Sequence, residues 1–197
     1  MSKACGIELG LAVLSRGEAR GMDKTLLDPR AVMTVRYADE VAWTVATALA
    51  RALAPVREQL SPLLDHTGLI VASPQGPAAT IAAVGADARA GRASPLRFPA
   101  ANPGSMAGVS CILFGLRGPA LNLLLPPDRG VPVGWFLAAR WLNRDAAACM
   151  GLAATARRGP LPCVARAVLL TRRTARGSET DQDLADARAW LAACPAE

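Results

Sequence analysis

Apolar positions along the chain fall into blocks whose spacing changes from short continuous runs to a period near four. Residues 5–14, Cys-Gly-Ile-Glu-Leu-Gly-Leu-Ala-Val-Leu, read as a strand. Residues 15–30 are polar, with Gly17, Gly21 and Pro29, and read as a loop or short turns. Asp39 can cap a helix to about residue 54. In it Val41, Val45, Leu49 and Leu53 recur every four positions beside Ala48 and Ala52, and Pro55 ends it. Residues 67–73 are a short apolar run bounded by turn residues, hence a buried strand. Residues 77–90 give a small-residue helix ended by Gly91. Asn102-Pro103 predicts the next helix, Asn as cap and Pro at the first helical position, running to about Leu116 and stopped before Gly118-Pro119. Gly104 and Gly108 read as close-packing positions within it, and Gly118 as the stop.

Further strands are predicted at Leu121 to Leu125, Ala146 to Ala154 and Val164 to Thr171. Pro126-Pro127-Asp128-Arg129-Gly130 breaks the first of these, and a helix runs from about Val131 to Asn143. Residues 178–197 begin as a polar loop and end in a helix with Leu184, Ala187, Trp190, Leu191 and Cys194 on one side. The order β-α-β-α-α-β-α-β-β-α argues for an α/β layer around a largely parallel sheet with helices on both faces. One domain over residues 1–197, with 178–197 as a tail helix, is the simplest count, and there is no internal repeat.

Composition narrows the function classes. Hydrophobic residues are 52% of the 197, which excludes a disordered chain. Net charge is +6, almost all arginine, since only Lys3 and Lys24 are lysines. An acidic partner fits that charge, nucleic acid or an acidic carrier protein. The clusters Arg157-Arg158 and Arg172-Arg173 lack the interleaved aromatics of a single-strand binder, so no nucleic acid is expected. The five cysteines, Cys5, Cys111, Cys149, Cys163 and Cys194, are scattered, and His66 is the only histidine. That pattern gives no metal site and no disulfide framework. No apolar run reaches the roughly 18 residues of a membrane span, and no signal peptide is visible. A cytoplasmic protein that does not bind a membrane is expected, without a cofactor: neither a dinucleotide-binding glycine motif nor a Walker loop occurs.

Phe98-Pro99-Ala100-Ala101-Asn102-Pro103-Gly104-Ser105-Met106-Ala107-Gly108, followed by Phe114-Gly115-Leu116-Arg117-Gly118-Pro119, resembles the β-ketoacyl synthases. Those enzymes carry a phrase like P-N-x-x-A-G opening a helix and F-G-L-R/K-G-P closing it. Thr67-Gly68-Leu69-Ile70-Val71 is similar to the family's preceding strand. The resemblance covers roughly residues 1–172. It implies a thiolase-like half-domain with a mixed, mostly parallel five-stranded sheet. In the family the strand after G-L-R-G-P leads to the nucleophilic cysteine, in a phrase like T-A-C-A-S/T-G. Counting without a gap puts Thr-Ala-Cys on Leu125, Pro126 and Pro127, so Pro127 stands at the nucleophile position. Proline has no nucleophilic atom. The family's catalytic histidines and oxyanion loop lie in its C-terminal half, beyond the part this chain resembles, and His66 lies far from the turn.

The resemblance therefore implies a non-catalytic accessory subunit of a polyketide or fatty-acid type pathway. It is similar in its lost nucleophile to a chain-length factor, though chain-length factors keep both halves. The expected partners are a second copy or a ketosynthase-family subunit, and an acyl carrier protein through Arg157, Arg158, Arg172 and Arg173. The alternative is a small acyl-transfer enzyme with a site rebuilt on Cys111, Cys149 or Cys163, of which Cys163 is the best placed, beside Arg157, Arg158 and Arg166. The family dimer pairs the strand before the nucleophile with its own copy, which here marks Leu121, Leu123 and Leu125, with Leu124. Val133, Trp135, Phe136, Leu137, Ala138, Trp141 and Leu142 spread around most of the helix that follows, the pattern of a buried helix. One sheet covers one side of it. Either the tail helix or a second subunit must cover the rest, and the shortness of the tail favours the subunit. Trp135, Phe136 and Trp141 are the interface candidates there.

Overall fold

The computed structural model describes residues 10–92, 94–157, 159, 162–173 and 180–195. Among these residues five strands form one mixed sheet: β1 (Leu11–Arg20), β2 (Thr67–Ala72), β3 (Ala120–Leu123), β4 (Cys149–Ala156) and β5 (Val164–Arg172), in the order β1-β5-β4-β2-β3. β2 runs parallel to β3 and β4, and β5 runs antiparallel to β4 and β1. Ile70 stands opposite Leu121 on one side and Leu152 on the other. β2 and β4 are buried along their whole lengths. Their continuous apolar sequence follows from having both faces covered.

Among the described residues seven α-helices accompany the sheet: α1 (Pro29–Thr34), α2 (Glu40–Leu53), α3 (Arg57–Leu60), α4 (Ala78–Arg89), α5 (Ser105–Phe114), α6 (Pro127–Asn143) and α7 (Asp181–Ala192). The alternation of strand side chains divides the core in two. Leu69 and Val71 face α2 and α5 in one cluster. Ile70, Leu152 and Leu170 face α6 and α7 in the other. Helices thus cover both faces, as the alternating pattern predicts.

Several boundaries differ from the sequence reading. The first strand is Leu11–Arg20, so residues 15–20, expected as loop, are strand; residues 5–9 lie outside the described part. Gly17 misled because it marks a close approach and not a turn: a Cβ there would sit 2.2 Å from the Ala48 carbonyl oxygen of α2. The fourth strand is Cys149–Ala156, shifted toward the C-terminus from 146–154. α6 begins at Pro127, not Val131. The Pro-Pro-Asp-Arg-Gly run that reads as a breaker is the cap and first turn of that helix, where proline's missing N–H costs nothing.

α5 begins at Ser105 with Gly104 as its cap, not at Asn102. The Asn102 Oδ1 accepts the Gly104 N–H at 2.7 Å and shapes the turn before it. The Ala107 N–H is taken by Asn122 of β3 at 3.0 Å, and the Asn122 amide donates to the Gly104 carbonyl at 3.3 Å. A strand residue therefore satisfies the helix start, which no local signal carries. The helix stops at Gly115, φ 68°, rather than at Gly118. Gly118 lies against β2, where a Cβ would come 2.6 Å from the Thr67 carbonyl carbon. Gly108, expected to be close-packed, has nothing within 4 Å of its Cβ position.

Candidate functional site

β3 leads through Leu124, Leu125 and Pro126 into α6 at the carboxyl ends of the parallel strands, the usual position of sites in open α/β sheets. Pro126 is extended (ψ 155°) and its carbonyl accepts the Gly130 N–H at 2.7 Å. Pro127 is the first residue of α6 and is buried. α6 enters directly against the sheet: a Cβ on Gly130 would be 2.6 Å from Ala72 Cβ, and one on Gly134 2.6 Å from Leu152 Cδ1. Asp128 and Arg129, the nearest polar side chains in sequence, are exposed. His66 lies at the start of β2, where its carbonyl accepts the Ala148 N–H at 2.8 Å. The length of the strand, about 3.3 Å per residue, separates it from Pro127.

The described thiols do not assemble a site either. Cys149, Cys163 and Cys194 are buried and Cys111 is half-buried. Burial pushes the thiols of Cys149 and Cys163 up to about 12, and those of Cys111 and Cys194 to about 11. Cys163, the best placed by sequence, is 1% exposed, and Arg157 only partly opposes the effect of its burial. A thiol in such surroundings is held protonated and unreactive at neutral pH. Cys5 and Arg158 lie outside the described residues. Among the described residues no group of three His, Cys, Asp or Glu could hold a metal ion. No described helix is long and apolar enough to cross a membrane.

What the fold leaves open is an edge. Among the described residues β3 ends the sheet and pairs only with β2. Leu69 N–H donates to Pro119 and Ser73 N–H to Leu123, so by the alternation of a parallel ladder the backbone groups of Ala120 and Asn122 face outward. An unpaired edge is a template for another strand. The leucines of β3 are not its outward part: Leu121 and Leu123 are half-buried and pack against the α6 core. Leu125 is half-buried and Leu124 is 55% exposed. Beside the edge, Asn122 ties α5 to β3, and α5 with the turn before it carries Phe98 at 71%, Leu96 at 63% and Ile112 at 59% exposure. Two apolar grooves of about 280 and 640 Å³ flank Pro99, one reaching Tyr37 and Ile112, the other Ile81 and Phe98. Sequence reasoning missed Leu96, Phe98 and Ile112. For Leu96 and Phe98 the signal available was a pair of large apolar residues either side of Arg97, between Pro95 and Pro99.

α6 corrects a second expectation. Trp135 is 2% exposed and belongs to the core, packed with Val131, Ala138 and Leu142, so it is not a surface residue. α7 packs beside α6, and Leu137, Trp141, Leu184 and Trp190 are partly buried there. Phe136 remains 40% exposed. The helix is therefore covered on its sheet side, partly covered by the tail, and open along one stripe. The expected carrier-binding arginines are engaged within the chain: Arg157 with Glu40 at 3.2 Å, Arg173 with Asp181 at 3.2 Å, and Arg172 with Asp145.

No family model and no curated protein matches the sequence. Solved structures do. The chain superposes on the ishigamide ketosynthase/chain length factor with a TM-score of 0.62 at 11% identity, over 86% of this chain and 64% of that one. The fold is that of the ketosynthase/chain length factor proteins. A chain of the complex between the ketosynthase ApeO and its chain length factor ApeC from Xenorhabdus doucetiae gives 0.62 at 14% identity, over 94% of this chain and 92% of that one. The AntDE:AntF complex, a type II acyl-carrier protein with its ketosynthase, gives 0.61 at 14% identity, over 83% and 62%. The chain thus spans less than two thirds of the first and third of these, and nearly the whole of the second. The second of these chains is therefore about as long as this one.

Proposed function

We propose that the protein is a non-catalytic, ketosynthase-like subunit that pairs with a ketosynthase-family protein in a polyketide or fatty-acid type pathway, with an acyl carrier protein as a further partner. The observation that carries the reading is the open edge of β3 beside the exposed Phe98, Leu96, Ile112 and Leu124. A soluble protein seldom leaves an edge strand next to so much apolar surface uncovered. The complexes whose chains share this fold support pairing as the role. Proline at the head of α6 supports the loss of condensation chemistry, because a nucleophile at that point would draw on the helix N-terminus and proline offers no atom for it. Arg157, Arg158, Arg172 and Arg173 remain the candidates for carrier contact, and Arg157, Arg172 and Arg173 would exchange their internal ion pairs for an acidic partner.

Co-purification with a full-length ketosynthase from the same genome tests the reading. A 1:1 complex, lost with Ala120→Pro and with Leu124→Asp while both variants melt like the parent, is the expected result. Proline at Ala120 removes an outward N–H and blocks strand addition. A monomer that captures no ketosynthase, or a complex indifferent to both substitutions, overturns it.

A further inference from the structure

On the side of α6 away from the sheet, Arg129, Val133, Phe136, Arg140 and Arg144 fall within one narrow stripe at 100° per residue, and all five are exposed. Val133 and Phe136 are 42% and 40% exposed at its middle. Arg129 stands at one end, Arg140 and Arg144 at the other, about 16 Å from Arg129 to Arg140 at 1.5 Å per residue. These three arginines form no ion pair among the described residues, whereas Arg157, Arg166, Arg172 and Arg173 each do. No acidic side chain lies on the stripe. The surface is an apolar centre with a free cation at each end.

We infer that this stripe docks an acidic amphipathic helix of a partner protein. The length matches about three helical turns, and the two apolar residues, three apart on one face, fit an apolar row laid alongside. A second copy of this chain does not fit: a two-fold contact would set Arg129 of one copy against Arg140 or Arg144 of the other, like charges facing each other. A partner with carboxylates at both ends of an apolar row answers all three cations. The inference is independent of the ketosynthase-pairing reading, which concerns β3 and α5 on another part of the molecule.

The full chain is titrated with a synthetic helical peptide carrying leucines on one face and glutamates at both ends, and with the same peptide carrying lysines instead. Binding of the glutamate peptide alone is expected, weakening roughly tenfold or more with Phe136→Ser, with Arg129→Glu/Arg140→Glu, and on raising salt from low to physiological strength. The charge-reversed variant is expected to gain the lysine peptide. Hydrogen exchange on the unaltered protein is expected to show protection over residues 129–144 on binding, a readout that needs no variant to fold. Equal binding of both peptides, protection elsewhere, or no peptide binding, with or without adsorption to vesicles of anionic phospholipid, overturns the proposal.

Discussion

Asp39 and Thr80 hold two helices together through one buried carboxylate. The Asp39 Oδ1 accepts the Val41 N–H at 2.9 Å and caps α2, while Oδ2 accepts the Thr80 hydroxyl at 2.6 Å and its N–H at 3.3 Å in the first turn of α4. One side chain, 3% exposed, thus satisfies orphan donors of both helices. Asp39→Ala is expected to lower stability by about 1–2 kcal/mol, the cost of a lost cap with unpaired donors left behind. Thr80→Val is expected to cost about 1 kcal/mol, and the double variant less than the sum, because the two share one interaction. Chemical denaturation reads all three; strict additivity contradicts the coupling.

Two glycines should respond in opposite directions. Gly17 sits where α2 crosses β1, with its Cβ position 2.2 Å from Ala48 O and 2.6 Å from Ala52 N. Those are backbone atoms and cannot yield, so Gly17→Ala is expected to be strongly destabilising, by about 3 kcal/mol or more, or to prevent folding. Gly108 lies inside α5 facing the apolar groove with nothing within 4 Å. Gly108→Ala is expected to stabilise by about 0.5–1 kcal/mol through helix propensity alone. Thermal melts of the two variants decide it.

The helix spanning residues 40–53 was legible because its four-residue apolar period and its Asp39 cap agree, and α4, β2 and α7 were legible for similar reasons. The errors lie where a distant partner overrides a local sign. Gly17 reads as a turn residue because the crossing helix is invisible in sequence. Asn102 reads as a cap, yet the carboxamide of Asn122 does that work from the neighbouring strand. The leucines of β3 read as an interface strand, but alternation sends Leu121 and Leu123 into the core and leaves the backbone of the edge as the exposed element. The helix at 127–143 reads as apolar nearly all round, but in the fold only its sheet side is fully buried, and Arg129, Val133, Phe136 and Arg140 face outward. The position of α7, which supplies part of its cover, follows from the packing and not from the period.

Alkaline pH should loosen the fold. The four described thiols are raised by burial from 9.0 to about 11 or about 12. The unfolded state therefore loses thiol protons first, and stability from this source is complete below about pH 9 and falls as pH rises from there toward 11–12. Melting temperature is expected to drop across that window, and less steeply for Cys149→Ala than for the parent once both are referred to pH 8. At pH 7.5 iodoacetamide is expected to modify Cys111, Cys149, Cys163 and Cys194 slowly in the folded protein. Rapid modification of one of them would revive a thiol-based acyl-transfer site.

Pro127→Cys tests the chemistry at the head of α6. Proline occupies the first helical position there, buried, at the carboxyl end of β3. A thiol in its place would meet the positive end of a long helix, which favours the thiolate. Its reactivity toward iodoacetamide is expected to exceed that of Cys111, Cys149, Cys163 and Cys194. Condensation is not expected to follow. Decarboxylative condensation also needs a base or hydrogen-bond donors for the developing enolate and an oxyanion hole at the acyl carbonyl. The chain's single histidine, His66, sits at the opposite end of β2 with its backbone committed to Ala148. Asp128 and Arg129, the next two residues after the new thiol, are exposed to solvent, where neither is desolvated enough to serve. Incubation of the parent and the variant with an acylated carrier protein and a malonyl carrier protein is expected to give no product from either, and at most a stable acyl group on the variant cysteine. Turnover by the parent alone would contradict the non-catalytic reading. Turnover by the variant alone would mean that the supporting groups are present and that only the nucleophile was lost.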